Sequence, residues 1–509
     1  MLEQYFSFLA GSVIFQRLVV LAGFLVVSAG LFLVFYLFKD EGMERSEAVT
    51  LLALLLFGFV FYIGQPFMTG AGGGEEYNYV LIGEEISESF RFAVSRIEGA
   101  ELYLKPYIMY PVLVSVPSFF LLTTLGLGIL VNTLSAVLML SLIYLAVKRL
   151  GGRRAGLVAV LLNIFNPFLV HMARSPESMM GSGLAFFCSV IAVDGFSERG
   201  GRLWFLGLVI SVLMMVYSRI GMWIIAFLAL FMTSFYSESI LETFRRMWKE
   251  IMALIVFLAI PFLMGVRYVL NMSRDFGAAS AASNMGGWIT FFSDRPFFVF
   301  LVLLVVPSVV YTLSIGRYRY LASAGVLHFF FYLTYRHASI LDHSKFYFLF
   351  STVFLCLLAL SVSDILGLVE VYSGWFYRSV FLVFVILLCT GLAVNTVSWG
   401  SEDSGYLPAE RVLSRSREFY PDCTVVPQDT RPVHLAGFEN TLDPWYLSED
   451  FGRREVVSEA DSDCLLLYYE DEPSDRMERI SGFFEAEKVY GYRYRGSYLA
   501  AYYVDISGY

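Results

Sequence analysis

Leu18 to Phe38, LVVLAGFLVVSAGLFLVFYLF, holds no charged residue. As a helix rising about 1.5 Å per residue, it is long enough to cross a hydrocarbon core of about 30 Å. The run is too long for a cleaved signal peptide, and no small-x-small cleavage site precedes the charged Lys39-Asp40-Glu41 that ends it. Runs of the same kind recur at 48–63, 127–147, 155–170, 179–193, 203–217, 220–235, 251–266, 297–315, 320–335, 346–362 and 380–394, which makes about twelve candidate spans. Segment 107–124 is also apolar, but it carries Pro111 and Pro117 and only a short Gly126-containing stretch separates it from the next run. It reads as an interfacial helix. The composition agrees: of 509 residues, 57% are hydrophobic and only 16% charged, against about 25% charged in ordinary globular chains. A soluble multi-domain enzyme is excluded.

Sidedness follows from Lys and Arg in short loops near span ends, which favour the cytoplasmic face. The strongest clusters are Lys148-Arg149 with Arg153-Arg154, Arg199 with Arg202, Arg245-Arg246 with Lys249, and Arg317 with Arg319. With the spans above, all four fall on one face. The N-terminus, residues 65–126, the loops 171–178, 267–296 and 336–345, and everything after about 397 are then external.

Beyond Val394 the composition changes. Residues 397–509 hold 22 Asp or Glu against 11 Lys or Arg, a net charge of −11 in a chain whose total is −9, so the membrane part is about +2. Strand-like runs at Cys423 to Val426, Cys464 to Tyr469 and Tyr498 to Val504 alternate with helix-compatible stretches such as Asp475 to Phe484. This pattern predicts a small external α/β domain. Domain boundaries at 1–396 and 397–509 are expected. Cys188, Cys356 and Cys389 lie within spans and read as packing residues. Cys423 and Cys464 are the one pair in the external domain, where a disulfide can persist. There is no CxxC or HExxH spacing, no Walker-type glycine loop and no GxGxxG. A zinc site and ATP-driven transport by this chain are therefore unsupported.

Three external stretches carry the chemistry. The first is Gly70-Ala71-Gly72-Gly73-Gly74-Glu75-Glu76-Tyr77-Asn78-Tyr79, beginning just after a span. Carboxylates held beside low-dielectric hydrocarbon have raised pKa values and can serve as a general base. Composition alone reads the same loop as a solvated acidic turn. The second is Tyr103-Leu104-Lys105-Pro106-Tyr107, before the interfacial segment, and the third is Asn166-Pro167 through His171, Arg174, Pro176 and Glu177.

In order, spacing and common sidedness, these elements resemble the lipid-dependent glycosyltransferases of the GT-C type, in particular the protein mannosyltransferase and aminoarabinose transferase branches. The elements that match are Glu75-Glu76 followed by Tyr79 or Tyr77, Lys105-Pro106, Lys148-Arg149, and Pro167 with Arg174 and Glu177. The resemblance covers roughly residues 48–235, with a looser echo at 336–362. Two departures stand out. Glu75 occupies a position that is usually Asp, which leaves Glu75 and Glu76 both open as the base, and an additional span precedes the loop.

The resemblance implies an α-helical polytopic membrane protein of GT-C type with a small C-terminal external α/β domain. It also implies a multi-pass enzyme of the cell membrane, with the active site and C-terminal domain extracytoplasmic. Its substrates would be a polyprenyl-phosphate-linked sugar and a protein, lipid or glycan acceptor, with no nucleic-acid partner. A carboxylate, Glu75 or Glu76, would take the acceptor proton. That oxygen would invert the anomeric carbon, and the lipid phosphate would leave. Fixed cations lower such a barrier. Lys105 matches the phosphate-contacting element, and Arg174, Arg336, His337 and Lys345 also stand in external loops, while Glu177 would orient acceptor or sugar.

Blander roles compete with each of these. Lys105 can snorkel at the interface, Glu177 can favour a helix N-terminus, and His337 and Lys345 can be solvated. Arg219, between two short spans, is either a turn residue or a buried cation facing the site. Trp288 is one of several aromatics able to stack on a sugar ring. Glu75, Glu76 and Glu177 offer oxygen ligands suited to Mg²⁺ or Mn²⁺, whereas the closest resemblance is to metal-independent members. A transporter or flippase of an amphiphile would carry internal repeats, and none is evident. A receptor or scaffold would not need so many spans. An oligosaccharyltransferase would be expected to carry a Trp-Trp-Asp-type motif, for which Asp443-Pro444-Trp445-Tyr446 is a poor substitute.

Overall fold

The computed structural model describes residues 12–65, 75–91, 108–121, 125–175, 178–219, 221–236, 245, 247–252, 254–259, 276–335, 344–370, 374–400, 406–427, 442, 447, 451–460, 462–470, 475–494 and 497–507. Where they are described, the apolar windows of the sequence fall mainly on helix, with 251–266 described only as far as 259. Among the described residues, seven helices are long and apolar enough to cross a bilayer. The chain is an α-helical multi-pass membrane protein.

Helices α1 (Val13–Asp40) and α2 (Arg45–Gly64) come first, followed by α3 (Glu75–Ser89) and α4 (Met109–Ser118). Next are α5 (Leu125–Ile164), the short α6 (Pro167–Ala173), α7 (Met179–Arg199), α8 (Arg202–Ser218) and α9 (Met222–Tyr236). After the segment around 248–259 come α10 (Ala278–Asp294), α11 (Pro296–Ser314), α12 (Arg319–Thr334), α13 (Phe348–Glu370) and α14 (Gly374–Gly400).

Helix α5 is a hairpin. At Gly152 the backbone turns to φ 87°, ψ 173°, where a Cβ would be strained. The two legs then run back to back, so that Leu140 of the first and Ile164 of the second both lie against Gly58 of α2. Helix α7 stands at the centre, packed against α1, α5, α8 and α9, and every residue of its apolar window is buried. With no hydrophobic drive between helices in lipid, close packing and interhelical hydrogen bonds hold such a bundle together.

The window 155–170 is not one continuous helix. It breaks at Phe165-Asn166, because Pro167 lacks an N–H and disfavours helical backbone in the residue before it. Asn166 adopts ψ 113° and accepts from the Phe168 N–H at 3.2 Å, capping α6. The exposed backbone of the break is satisfied from neighbouring helices, as membrane burial demands. Tyr62 donates to the Asn163 carbonyl at 3.4 Å and Thr396 to the Phe165 carbonyl at 2.8 Å. The Asn166 amide donates to the hydroxyls of Ser351 and Thr352, each at 3.2 Å.

At one end of the bundle the charged helix termini interlock. Arg149 Nε donates to Asp194 at 3.0 Å and Nη1 to Glu41 at 2.9 Å, while its guanidinium lies 4.8 Å from the Trp204 ring. Arg317 pairs with Glu198 at 3.2 Å, Arg199 with Asp40 at 2.6 Å and Lys148 with Glu47 at 2.5 Å. Arg202 bonds Glu250. The basic clusters around residues 149, 199–202 and 317 thus share one end of the bundle, as expected of clusters on one face. Arg246 lies outside the described residues.

Three segments differ from the sequence reading. Within 65–126, read as an external loop, α3 forms and packs on α4. The expected interfacial helix is confined to α4, whose Met109, Tyr110, Val112 and Val114 are buried in the bundle while Val116, and Phe120 and Leu121 just after the helix, stay exposed. Within 267–296, α10 lies across the end opposite the charged network. Its Asn284 amide donates to the Tyr335 carbonyl at 2.8 Å, and its Trp288 packs on Tyr347 and Phe350. Trp288 is therefore a buried packing residue.

After α14 the chain forms a four-stranded sheet of β1 (Thr424–Pro427), β2 (Cys464–Glu470), β3 (Glu487–Tyr494) and β4 (Ser497–Asp505) in the order β1-β2-β4-β3. The β1–β2 pair is parallel and the others antiparallel. The helix Tyr406–Phe419 covers one face through Val412 and Leu413. On the other face Phe451, Val456, Met477 and Ile480 pack against Leu465 and Leu467. Cys423 and Cys464 are joined by a disulfide, their Cα atoms 4.9 Å apart.

Candidate functional site

The end of the bundle opposite the interlocked charges is built from α3, α4, the first turn of α5, the α6–α7 connection, the α8–α9 connection and the turn before α13. Helix α3 opens at Glu75. Tyr79 stands in the turn of the helix that follows its start. It is buried edge-on against Tyr110 of α4, ring centroids 6.0 Å apart, and the Tyr110 hydroxyl donates to the Gly128 carbonyl at 3.0 Å. Just before α4, the Ile108 N–H donates to the Tyr217 carbonyl at 3.0 Å, which ties this pair of helices to the end of α8.

The α6–α7 connection is held from below by α5. Thr133 donates to the Ala173 carbonyl at 2.8 Å and Asn132 to the Ser175 carbonyl at 2.6 Å. Both residues interrupt an otherwise apolar run, the one sequence signal that could have marked them. Arg174 is fixed between these two bonds and is buried. Burial lowers its guanidinium from 12.5 to about 10, so it keeps its charge at neutral pH.

Arg219 is both a turn residue and a buried cation. It ends α8 in an extended conformation, φ −164°, ψ 147°, and is 4% exposed. Its Nη1 donates to Ser178 Oγ at 3.2 Å, beside the α7 N-terminus, and its guanidinium lies 4.9 Å from the Phe346 ring. Phe346 belongs to the 3-10 turn Ser344–Tyr347, which also carries the backbone of Lys345. Phe346 stacks on Tyr332, and Tyr332 meets the ring of His328 at 4.8 Å. His328 is 1% exposed, and neither of its ring nitrogens has a hydrogen-bond partner among the described residues. Sequence reading missed Tyr110, Ser178, Phe346 and His328. Only His328, a polar residue inside an apolar run, left any mark there.

Tyr79, Arg174 and Arg219 thus occupy one end, with the backbones of Glu75, Glu76 and Lys345 on elements of that same end. The side chains of Glu75, Glu76 and Lys345, and all of Lys105, Glu177, Arg336, His337 and Asp443 to Tyr446, lie outside the described residues. The oxygen set considered for Mg²⁺ or Mn²⁺ is therefore not described. Among the described residues, no group of three His, Cys, Asp or Glu is placed to hold a metal ion.

The whole arrangement has counterparts of known structure. Over 90% of its length the chain superposes on 98% of ArnT from Cupriavidus metallidurans, in a structure bound to undecaprenyl phosphate, with a TM-score of 0.58 and 12% identity. Over 90% it also superposes on 74% of the archaeal oligosaccharyltransferase AglB from Archaeoglobus fulgidus, in complex with an inhibitory peptide and a dolichol-phosphate, with a TM-score of 0.53 and 12% identity. No family model and no curated protein matches the sequence. The fold is that of the GT-C membrane glycosyltransferases.

Proposed function

We propose that the chain is a membrane glycosyltransferase. It transfers a sugar from a polyprenyl-phosphate donor to an acceptor hydroxyl, with inversion, at the extracytoplasmic end of its helix bundle. The observation that carries this reading is the convergence at that end of α3, which begins at Glu75, with two buried arginines, Arg174 and Arg219. A departing lipid phosphate gains negative charge, and cations held in a low-dielectric site stabilise it without reorganising. The donor would keep its tail in the bilayer and bring the anomeric carbon to the end of the bundle. Glu75 or Glu76 would remove the acceptor proton, that oxygen would form the new glycosidic bond, and the anomeric carbon–phosphate bond would break. Lys105, Arg174 and Arg219 would receive the phosphate, with His337 and Lys345 close by in sequence to the Phe346 turn. Glu177 would orient acceptor or sugar.

The test is transfer from radiolabelled polyprenyl-phosphate sugars by the purified protein with membrane extract as acceptor, comparing wild type with Glu75→Gln and Glu76→Gln. Loss of about 10²-fold or more in one variant is expected for a general base. Unchanged transfer in both removes the base assignment, and no consumption of any lipid-linked sugar removes the enzyme reading. An EDTA arm reports on metal. The AglB likeness favours a second reading, transfer of an oligosaccharide to a peptide, which a lipid-linked oligosaccharide with a peptide acceptor would reveal.

A further inference from the structure

The guanidinium of Arg219 is seated from two directions. Its Nη1 donates to Ser178 Oγ at 3.2 Å, and its central carbon lies 4.9 Å from the centre of the Phe346 ring, within the range of a cation–π contact. Phe346 is fixed in turn. It stacks on Tyr332, with ring centroids 4.8 Å and planes 24° apart, and Tyr335 meets it edge-on at 5.8 Å. Tyr332 belongs to the last turn of α12, and α10 pins the end of that helix: the Asn284 amide donates to the carbonyls of Leu333 at 2.9 Å and Tyr335 at 2.8 Å. The connection that carries Arg219 also makes room for Tyr332. A Cβ on Gly221 would stand 2.3 Å from the Tyr332 hydroxyl, so a larger residue there pushes Tyr332 from its place under Phe346. Phe346 is 5% exposed and Tyr332 2%, so neither presents a face to a sugar, and what they do to a ligand passes through Arg219.

We propose that Phe346, Tyr332 and Gly221 are positioning residues that hold the Arg219 guanidinium in one orientation for a lipid phosphate. The inference rests on the reading of Arg219 as a group that receives the phosphate. An arginine on a free stem gives up rotamer freedom when it binds an anion, whereas one already seated on a hydroxyl and an aromatic face gave it up on folding. An aromatic face also attracts a cation without neutralising it. Phe346 thereby steadies the charge at a low-dielectric end of the bundle and leaves it able to act on an anion.

The test uses the purified, delipidated full chain in a mild detergent, titrated with undecaprenyl phosphate, with bound lipid counted by native mass spectrometry. Arg219→Gln is expected to lower retention about tenfold or more, and Phe346→Leu about three- to tenfold. In the double variant the two losses should not multiply, because Phe346 acts through a group that is already gone. Gly221→Ala should lose retention as Phe346→Leu does. Adding Tyr332→Phe removes the hydroxyl that the new methyl strikes and should restore part of that loss, a suppression that a general loosening of the bundle does not give. This pair keeps the test decisive where Phe346→Leu fails to fold. Unchanged retention in Arg219→Gln, Phe346→Leu or Gly221→Ala, multiplied losses in the double variant, or no recovery with Tyr332→Phe would each overturn the proposal. Retention that follows the expected pattern while no lipid-linked sugar is consumed would refute the enzyme reading and leave the platform standing. Intact sugar transfer with unchanged retention in Phe346→Leu would refute the platform alone.

Discussion

Replacing Arg149 with Met keeps the volume of the side chain and removes its fork of donors. In the folded protein that fork reaches Asp194 at 3.0 Å, Glu41 at 2.9 Å and Glu198 at 3.5 Å, and its plane covers Trp204. Arg149 is 5% exposed and Asp194 7%, so the substitution strands a buried carboxylate whose next cation, Arg317, stands 3.9 Å away. Breaking a buried pair from one side costs about 3–5 kcal/mol, which is about 150- to 5,000-fold in the unfolded-to-folded ratio. Asp194→Asn in the same chain removes the stranded charge and should recover about 1–3 kcal/mol as a positive coupling. The assay is an SDS titration in mixed micelles, with unfolding followed by pulse proteolysis of the four chains of the double-mutant cycle. If Arg149→Met costs under about 0.5 kcal/mol, or if the two substitutions are additive, the charged end is a solvated surface and not a buried clasp.

Three further outcomes are expected. Reducing the Cys423–Cys464 bond, or replacing both with Ala, frees a loop with a sequence separation of 41. Chain entropy puts the loss at about 4 kcal/mol for the C-terminal domain, read as its earlier cleavage in limited proteolysis of the full chain; identical cleavage rates would contradict this. Asn166→Ala removes the cap of α6 and the bonds to Ser351 and Thr352, a loss of about 1–3 kcal/mol that a thermal shift in detergent would register. An unchanged midpoint would mean the helix break is held by packing alone. Arg174→Gln should weaken retention of polyprenyl phosphate at pH 7 by about tenfold or more, read by native mass spectrometry of the purified chain. Unchanged retention in the variant would remove Arg174 from the phosphate site.

How much of this was legible in the sequence depends on the physical signal each element carries. A span announces itself by a long uncharged run, and among the described residues these runs fold mainly as helix. Helix α3 opens Glu-Glu-Tyr-Asn and helix α10 opens Ala-Ala-Ser-Ala-Ala-Ser-Asn, so neither has such a run and both read as loop. Pro167 signalled a break that an apolar average smoothed over. The basic clusters were legible one by one, but their acidic partners Glu41, Glu47, Asp194 and Glu198 were not, because several of those pairs join residues more than 100 positions apart. At the candidate site, Arg174 and Arg219 stood out as charges in an apolar chain. The carbonyl contacts of Thr133 and Asn132 that hold the Arg174 turn depend on tertiary proximity, which spacing does not encode.

The enclosure of α7 bears on how the protein is made. The apolar window of this helix is wholly buried in the bundle, and its mean hydropathy of 1.6 is the lowest of the seven candidate spans among the described residues. Its window includes Gly181, Ser182, Gly183, Ser189 and Asp194, residues suited to close protein contact and poorly suited to solvation by acyl chains. It is therefore the span least able to partition into the bilayer alone during synthesis. Gly200 and Gly201, at φ 59° and 92°, fold it straight back onto the more apolar α8. The two would enter the membrane as one hairpin, α8 carrying α7 in, so substitutions that weaken this turn should appear first as failed insertion.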